Sequence, residues 1–408
     1  MTKRFVGAVT LSLFFQVSAF AQMGGFGGPQ GGGSVPNTDK TADVNYANDG
    51  KTYHTLDIYI PKEAKESYPV VIHTYGSAWS MNNMKGSADL STICAAYAKA
   101  GYAVVTPNHR SADDGKYPAQ LHDIKAVVRF VRGNAAKYKF DTSFIAVSGF
   151  SSGGHLSSLT ATTCGLKEGK SGSVTVDLVG DLGEFTSFSS CVDGAVLWSP
   201  PTDIYTMNPI SMGGSGTMEG KFIGVEREGN KDKWMVASSP YYASDDDPPV
   251  IIFHGTEDKV VNFGQSQELY DSLKKHNVVV ELDTVPNGEH GGNVMYASAN
   301  LDKAVAFLNT AREAKAAAVV VPPDTMKQDT AKQDTAKQDT TKQDPSITSI
   351  PVLHSLASSP VTYRVFSLDG TLVMKSSSLD LSRLKPGVYY VESATRNGSR
   401  RVFRYAKR

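Results

Sequence analysis

The stretch FIAVSGFSSGGH, residues 144–155, decides how the chain is organised. Its first five residues, Phe144–Ser148, form a short apolar and β-branched run of the kind that makes a buried strand. Residues 149–153 then fit the pattern G-x-S-x-G, in which small residues let a strand turn sharply into a helix and raise a serine hydroxyl above the sheet. The sequence therefore predicts a strand, a strained turn that carries Ser151, and a helix.

Five other apolar runs on either side of this stretch are of the same kind. They are Pro69–Thr74, Tyr102–Thr106, Val192–Trp198, Val250–His254 and Val278–Asp283. Longer amphipathic stretches lie between most of them, for example 119–138 and 263–276, with apolar residues at spacings of three and four. Strands that are apolar on both faces and alternate with helices indicate an α/β fold with a mostly parallel, doubly wound sheet. Functional side chains are then expected at the carboxyl ends of the strands.

An acid and a base follow the serine in the chain, each beyond a later strand. Asp258 comes after the run that ends at His254, and His290 lies in the Gly-rich loop 287–292. A serine hydroxyl is a poor nucleophile unless a base removes its proton and an acid orients that base. Because the order Ser, Asp, His is the one expected for such a fold, we predict that Ser151, Asp258 and His290 form a catalytic triad.

Other acids and histidines are expected to lie near this triad. Glu257 is adjacent to Asp258, and Asp203 follows another strand, so both are alternatives for the acid. The histidines expected to be structural neighbours are His73, His155 and His254. A developing oxyanion also needs backbone donors, and these are expected after the nucleophile and in the loop Tyr75-Gly76-Ser77-Ala78-Trp79.

Three segments of the chain resemble the α/β-hydrolase superfamily, and within it secreted carbohydrate esterases related to bacterial feruloyl and acetylxylan esterases and to hormone-sensitive-lipase-like enzymes. The segments are YPAQLHDIKAVVRFVRGNAAKY (117–138), GFSSGGH (149–155) and SPYYASDDDPPVIIFHGTEDKVV (239–261). The resemblance covers nearly all of residues 50–310. It implies an α/β-hydrolase fold with Ser151 as nucleophile, Asp258 as acid and His290 as base. It also implies an oxyanion hole made by the N–H groups of Ser77, Ala78 and Ser152.

The oxyanion loop departs from the family pattern. The family usually has His-Gly-Gly-Gly-Trp where this chain has Tyr75-Gly76-Ser77-Ala78-Trp79. Ser77 and Ala78 cannot enter positive φ as cheaply as glycine, so a reshaped loop is expected. Residues 163–190 and 202–247 are long segments between strands, and we expect them to cover or shape the acyl pocket.

The function that this resemblance implies is hydrolysis of carboxylic esters. The expected substrates are acetyl or feruloyl groups on plant-wall polysaccharide, especially xylan, and no metal or organic cofactor is implied. The alternatives are a general short-chain carboxylesterase or lipase, a peptidase like prolyl oligopeptidase, and an inactive carbohydrate-binding descendant.

The charge of the 408 residues is unevenly distributed. The chain has 41 basic and 41 acidic side chains, and this balance gives no sign of a nucleic-acid partner. Residues 22–321 have 25 basic and 33 acidic side chains, a net charge of −8, whereas residues 346–408 have 10 and 3, a net charge of +7. An acidic body is therefore followed by a basic tail.

The N-terminal residues indicate export. Residues 1–21 have a basic start, a short apolar stretch and the sequence Ala-Phe-Ala at the end, which is typical of a secretory signal peptide. A membrane anchor is the alternative, but it needs about 20 apolar residues, and no other run could span a membrane. Residues 22–36 are Gly-rich and are expected to be a flexible N-terminus. Export permits a disulfide between Cys164 and Cys191, leaving Cys94 as a buried thiol.

The C-terminal residues indicate a linker and a second domain. Residues 322–345 repeat KQDT with a period of five, which fits a solvated linker or a charged surface helix. The catalytic domain is expected to span 37–321. In residues 346–408, the runs 361–368 and 371–375 flank Asp369-Gly370, a strong hairpin signal, and 387–391 is another strand.

This tail resembles the small β-sandwich domains at the C-termini of exported bacterial proteins, including type IX sorting domains and the basic modules of Fibrobacter wall-degrading enzymes. The resemblance implies sorting through the secretion machinery or attachment to the cell surface, and a passive appendage is the alternative. The protein is therefore expected to be secreted or attached to the cell surface.

Overall fold

The computed structural model describes residues 33–86, 89–212 and 216–319, and 362–367, 372–376, 384, 387–394 and 400–407 of the tail. The chain divides into two compact units, Met1–Ala318 and Val319–Arg408. The predicted signal peptide and the KQDT linker lie outside the described residues. Val35, in the segment expected to be flexible, is only 4% exposed and packs in the core, so this part of the segment belongs to the fold.

The described part of the first unit has ten strands and eight α-helices. The strands are β1 (Thr38–Asn45), β2 (Thr55–Pro61), β3 (Tyr68–Thr74), β4 (Ala103–Pro107), β5 (Phe140–Phe150), β6 (Glu168–Ser171), β7 (Val174–Asp177), β8 (Gly194–Trp198), β9 (Val250–Gly255) and β10 (Val280–Val285). The helices are α1 (Ala95–Lys99), α2 (Ala119–Gly133), α3 (Ala135–Tyr138), α4 (Ser152–Thr162), α5 (Met218–Ile223), α6 (Lys231–Met235), α7 (Gly264–Lys275) and α8 (Ser298–Val319). A π-helical turn, Leu90–Cys94, precedes α1, and 3₁₀ turns lie at Thr52–His54 and Ser239–Tyr242.

Eight strands form one mostly parallel sheet in the order β1-β2-β4-β3-β5-β8-β9-β10. From β4 to β10 the neighbouring strands are parallel, whereas β1 and β2 add an antiparallel edge. The predicted α/β fold is confirmed, and each of the six predicted strands is present with shifted ends. The stretch 119–138, predicted as one helix, is divided between α2 and α3 at Asn134.

The central strands are buried on both faces, which explains their continuous apolar runs. Every residue of β3, β4, β8 and β9 is buried. Alternate residues of these strands join two different cores. One core includes Val127 of α2 and Leu269 of α7, and the other includes Tyr97 of α1 and Leu308 of α8. Helices therefore cover both faces of the sheet, and its carboxyl edge is left to the loops.

The segment 163–193 between α4 and β8 is closed at its base by a disulfide, and three cations of α2 hold it to that helix. Cys164 is bonded to Cys191. Lys125 on α2 donates to Thr163 O at 3.0 Å, and two arginines of the same helix donate to further carbonyls of this segment. Burial, together with the nearby charge of Arg129, lowers the pKa of Lys125 to about 7.

The described strands of the second unit form a four-stranded antiparallel sheet. They are β11 (Thr362–Ser367), β12 (Leu372–Ser376), β13 (Gly387–Ala394) and β14 (Arg400–Lys407), in the order β12-β11-β13-β14. The predicted hairpin is β11 paired with β12, and the predicted strand at 387–391 is part of β13. The all-β class of this unit is confirmed, although the second sheet that a sandwich requires is not among its described residues.

Within the described ranges, no helix has the length and apolar character needed to cross a membrane.

Candidate active site

Ser151 lies on a strained turn between β5 and α4. Its φ is +53° and its ψ is −124°, a conformation that side-chain-bearing residues rarely adopt. Gly149 and Gly153 permit this turn, because a Cβ on Gly149 would lie 2.2 Å from Gly153 O and a Cβ on Gly153 would lie 2.1 Å from Thr74 O. The Ser151 N–H donates to Trp198 O at 2.9 Å. The turn raises the serine side chain at the carboxyl edge of the sheet, and the residue is 4% exposed.

His290 lies in the loop after β10 and joins the serine to an acid. Its Nε2 lies 2.9 Å from Ser151 Oγ, and its Nδ1 lies 2.8 Å from Asp258 Oδ2. The loop packs closely against the end of β9, since a Cβ on Gly255 would lie 2.1 Å from Gly288 O. The structure therefore brings the three predicted triad residues together in one continuous chain of hydrogen bonds.

Asp258 is held in place by hydrogen bonds to both of its carboxylate oxygens. The N–H groups of Val260 and Val261 each donate to Oδ1 at 2.9 Å, and His254 Nε2 lies 3.4 Å from Oδ2. Burial alone would raise the pKa of Asp258, but the hydrogen bonds from His254 and His290, the charge of His290 and the N–H of Val261 hold it well below its ordinary value. The carboxylate therefore stays ionised beside His290 at neutral pH.

The two alternative acids lie elsewhere. Asp203 Oδ1 accepts hydrogen bonds from Ser238 Oγ at 3.1 Å and from the N–H of Tyr205 at 3.0 Å. Glu257 is exposed. Of the three candidate acids, Asp258 is the one that lies within hydrogen-bond distance of His290 in the described part of the chain.

The three histidines predicted to be structural neighbours are all buried and bonded to other groups. His155 accepts from Trp79 Nε1 at 3.2 Å and donates to Ala237 O at 2.7 Å, and burial lowers its pKa to about 4. His73 lies 3.1 Å from Ser148 Oγ. His254 contacts Ser266 Oγ and Val261 O, and thereby presents its ring to Asp258. This last contact with the acid is one that the sequence pattern did not indicate.

The loop Tyr75–Trp79 approaches the serine closely. A Cβ on Gly76 would lie 2.7 Å from Ser151 Cβ, so this glycine is required. Ala78 and Trp79 have φ values of +46° and +55°, whereas Ser77 keeps a negative φ. Ala78 and Trp79 therefore adopt left-handed backbone without being glycine, at a cost of about 1–2 kcal/mol for each residue. That the loop is reshaped relative to the family stays a prediction.

The three predicted oxyanion donors are not equivalent. The N–H of Ser77 donates to Ser152 Oγ at 2.8 Å, so a side chain already occupies it. The N–H groups of Ala78 and Ser152 have no acceptor among the residues that the structure describes. Ser152 is the first residue of α4, where a helix has no internal acceptor for its N–H. Two backbone donors without an acceptor in this part of the chain are thus left, one in the loop that approaches Ser151 through Gly76 and one directly after Ser151.

Aromatic side chains surround these groups on both sides. Phe150 lies against His290 with ring centroids 4.9 Å apart and also contacts Tyr296. On the other side, Trp79 stacks on Phe222 of α5 at 4.5 Å and 16°. Residues 202–247 therefore reach the oxyanion loop through Phe222. That this segment and residues 163–190 cover or shape the acyl pocket stays a prediction. The sequence reasoning missed Phe150, although an aromatic residue directly before Ser151 was a visible signal.

The part of the chain that the structure describes has no group of three or more His, Cys, Asp or Glu side chains that could hold a metal ion. That the protein needs no cofactor stays a prediction.

Known proteins are similar to large parts of this chain. The probable carboxylic ester hydrolase LipM of Mycobacterium tuberculosis is 27% identical over 239 residues, which cover 57% of this chain and 51% of LipM. This chain thus spans about half the length of that curated relative. Two solved structures are more similar. A truncated carbohydrate esterase from gut microbiota has 38% identity and a TM-score of 0.66, and the match covers 70% of this chain and all of that one.

The second solved structure is a bifunctional GH43-CE protein of Bacteroides eggerthii, with 42% identity and a TM-score of 0.64 over 67% of this chain and 35% of that one. The family model BD-FAE matches residues 56–273, just over half of the 408 residues. The matched range includes Ser151 and Asp258 and stops before His290. This chain, with its α/β-hydrolase fold, therefore belongs to the BD-FAE family.

Proposed function

We propose that the protein is a serine hydrolase that cleaves carboxylic esters through a covalent acyl-enzyme. The observation that carries this proposal is the continuous hydrogen-bond chain Ser151–His290–Asp258 at a strained turn, with distances of 2.9 and 2.8 Å. We assign the oxyanion donors to the N–H groups of Ala78, in the loop that approaches Ser151, and of Ser152, directly after it. Nucleophile, base, acid and oxyanion donors together are what acyl transfer requires.

The reaction follows from these positions. His290 Nε2 takes the proton of Ser151 Oγ as the oxygen attacks the ester carbonyl carbon. The carbonyl oxygen becomes an oxyanion, which the N–H groups of Ala78 and Ser152 stabilise. His290 then donates the proton to the leaving alcohol, and the acyl group stays on Ser151. In the second half, His290 removes a proton from water as the water oxygen attacks the acyl carbon. The bond between that carbon and Ser151 Oγ then breaks, the proton returns from His290 to Ser151 Oγ, and the acid leaves.

Asp258 keeps the His290 ring in the orientation and tautomer that this proton transfer needs. Its carboxylate accepts from Nδ1, so Nε2 faces Ser151 as the base. The N–H groups that bind the other carboxylate oxygen fix Asp258 itself. An ionised, immobile carboxylate also stabilises the imidazolium that forms in the transition state.

The proposed substrates are acetyl or feruloyl esters on plant-wall polysaccharide, especially xylan. The support is the 38–42% identity to a carbohydrate esterase and to a bifunctional GH43-CE protein. A general short-chain carboxylesterase is the alternative for the same site, and LipM supports it.

Initial rates on acetylated xylan, methyl ferulate and tributyrin, with Ser151→Ala protein as the blank, separate these substrates. We expect kcat/KM to be highest on one of the carbohydrate or ferulate substrates. A preference for tributyrin would indicate a general carboxylesterase. No turnover of any ester above the blank would contradict the proposed function.

We also propose that the protein is secreted and that its second unit holds it to an acidic polymer or to a cell surface. The support is the signal-like N-terminus and the +7 charge of residues 346–408. Attraction between charges at a surface is screened by salt. Retention of the full chain on insoluble glucuronoxylan should therefore fall as NaCl is raised from 0.05 to about 1 M. Retention that does not depend on salt would contradict a charge-based attachment.

A further inference from the structure

The side chain of Ser152 lies between the two segments that carry the oxyanion donors. Ser152 begins α4, directly after Ser151, and its residue is 1% exposed. Its Oγ accepts the N–H of Ser77 at 2.8 Å. Ser77 immediately precedes Ala78, whose N–H is one of the two unused donors. The hydroxyl is therefore fixed at the edge of the hole that these backbone groups form.

This hydroxyl accepts a hydrogen bond but has no acceptor for its own O–H among the described residues. A serine hydroxyl has one O–H donor in addition to its acceptor lone pairs. The acceptor function is used by Ser77, but the O–H donates to no residue that the structure describes. A buried donor without an acceptor is costly, so such a group normally finds one in a ligand or water. Since the hydroxyl borders the site where the oxyanion forms, the substrate itself offers that acceptor.

We infer that the Ser152 hydroxyl is a third donor of the oxyanion hole and contacts the developing oxyanion together with the N–H groups of Ala78 and Ser152. This inference rests on the proposed esterase function. When Ser151 Oγ attacks, the carbonyl π pair moves onto oxygen, and the O–H of Ser152 rotates to donate to it. No proton is transferred in this contact.

The bond from Ser77 makes this hydroxyl a stronger donor and holds it in place. An O–H whose oxygen already accepts a hydrogen bond is polarised, and bonds in such a chain reinforce one another. The same bond also clamps the loop in which Ala78 and Trp79 have positive φ. The loop has a single glycine, Gly76. The hydrogen bond to Ser152 therefore helps to hold a loop conformation in which residues other than glycine have positive φ.

The test is the kinetics of full-length Ser152→Ala protein on p-nitrophenyl acetate, with inhibition by a trifluoromethyl ketone measured in parallel. The variant keeps the backbone N–H of residue 152 and removes only the hydroxyl. Loss of one oxyanion donor lowers kcat by about 10²–10³-fold in other hydrolases, so we expect a loss of about 10–100-fold with KM changed by less than about threefold. Affinity for the ketone, which forms a tetrahedral oxyanion, should fall by the same factor as kcat.

A hydroxyl that only occupies the N–H of Ser77 gives a different result. If Ser152 Oγ only occupied the N–H of Ser77, its removal would release that donor, and kcat would stay the same or rise. That outcome would overturn the inference. Ser152→Cys tests the same point if the alanine variant fails to fold, because a thiol is similar in size but a weak donor. It should show a smaller but parallel loss of kcat and ketone affinity, and unchanged values would again overturn the inference.

Two controls separate this inference from the proposed function. Ser157→Ala removes a buried serine of the same helix whose Oγ donates to Ser148 O at 3.0 Å, away from the oxyanion donors. It should leave kcat and ketone affinity unchanged. If wild-type protein is inactive, the esterase proposal itself fails. If wild-type is active and Ser151→Ala is not, but Ser152→Ala is unimpaired, only the third donor is refuted.

Discussion

Two hydrogen-bonded rows of aspartate, histidine and serine end at serines three residues apart, Ser148 in β5 and Ser151 just after it, and only one row has the geometry of a catalytic site. In the first, Asp258 Oδ2 lies 2.8 Å from His290 Nδ1, and Nε2 lies 2.9 Å from Ser151 Oγ. In the second, which we call the buried row, Asp89 Oδ2 lies 3.3 Å from His73 Nε2, and Nδ1 lies 3.1 Å from Ser148 Oγ.

The backbone at the serine makes the difference. Ser148 lies within β5 and is completely buried, and its Oγ also contacts Tyr97 OH at 3.0 Å. Ser151, three residues later, lies on the turn with positive φ, directly before the first N–H of α4. The same three residue types therefore form a structural hydrogen-bond row inside the strand and a triad at its end. Both rows contain the same residue types, but only the turn places a serine hydroxyl where a substrate can reach it.

Removal of each serine hydroxyl should give the largest difference in kcat between the two rows. Ser151→Ala removes the nucleophile, so kcat on p-nitrophenyl acetate should fall by about 10⁴-fold or more. Ser148→Ala should keep kcat within about twofold of wild type but lower the free energy of unfolding by about 1 kcal/mol, because hydrogen bonds to His73 and Tyr97 are lost. Steady-state kinetics and urea unfolding measure the two effects. Equal losses of kcat in both variants would refute the distinction.

The aspartates of the two rows, Asp258 and Asp89, can be compared in the same way. Asp258→Asn keeps the shape of the side chain but no longer fixes the tautomer of His290, so kcat should fall by about 10⁴-fold. Asp89 has a φ of +44°, a conformation that asparagine tolerates well. Asp89→Asn should therefore fold normally and lose less than about threefold in kcat by the same assay, since no reacting atom depends on it. A large loss at residue 89 would show that the buried row takes part in catalysis.

The pH dependence of stability tests the electrostatics of the triad acid. The pKa of Asp258 is below its ordinary value in the folded state, so its ionised form stabilises the fold above about pH 4, and this contribution is lost as the pH falls. Asp258→Asn should thus differ most from wild type in free energy of unfolding near pH 7, and the difference should narrow toward pH 3. Urea unfolding at both pH values measures it. A difference that widens in acid would contradict the assigned shift.

The smallest expected effect concerns the hydroxyl of Tyr97. Tyr97→Phe removes one hydrogen bond of the buried row, and the free energy of unfolding should fall by about 0.5–1.5 kcal/mol with kcat unchanged. Thermal unfolding measures the change in stability, and the same kinetic assay measures kcat. A loss of activity without a loss of stability would mean that the row positions the catalytic turn.

The sheet could be predicted because its central strands are buried on both faces and carry an unbroken apolar signal, as in Val250–Gly255. The edge strand Thr38–Asn45 could not, since most of its residues are exposed and polar and its pairing with β2 depends on the rest of the sheet. The helix 119–138 was predicted too long, because the apolar spacing continues past Gly133 and Asn134 where the backbone leaves the helix.

The triad could be proposed from chain order alone, because each of its residues follows a strand of a parallel sheet. The buried row could not, although His73 was expected to be structural, since its partner Asp89 lies in a loop without a recognisable pattern. The bond between Ser77 and Ser152 joins residues 75 positions apart and depends on the φ values of a single loop. Contacts of this kind follow from the folded backbone and leave no periodic signal.

The most direct test of the central claim is labelling of the full chain with a fluorophosphonate, followed by intact mass and peptide mapping. We predict one equivalent of label, located on Ser151 and absent from Ser148, with labelling abolished in Ser151→Ala and slowed strongly in Asp258→Asn. Labelling that persists in Ser151→Ala, or its absence from a wild-type protein that hydrolyses esters, would contradict the account.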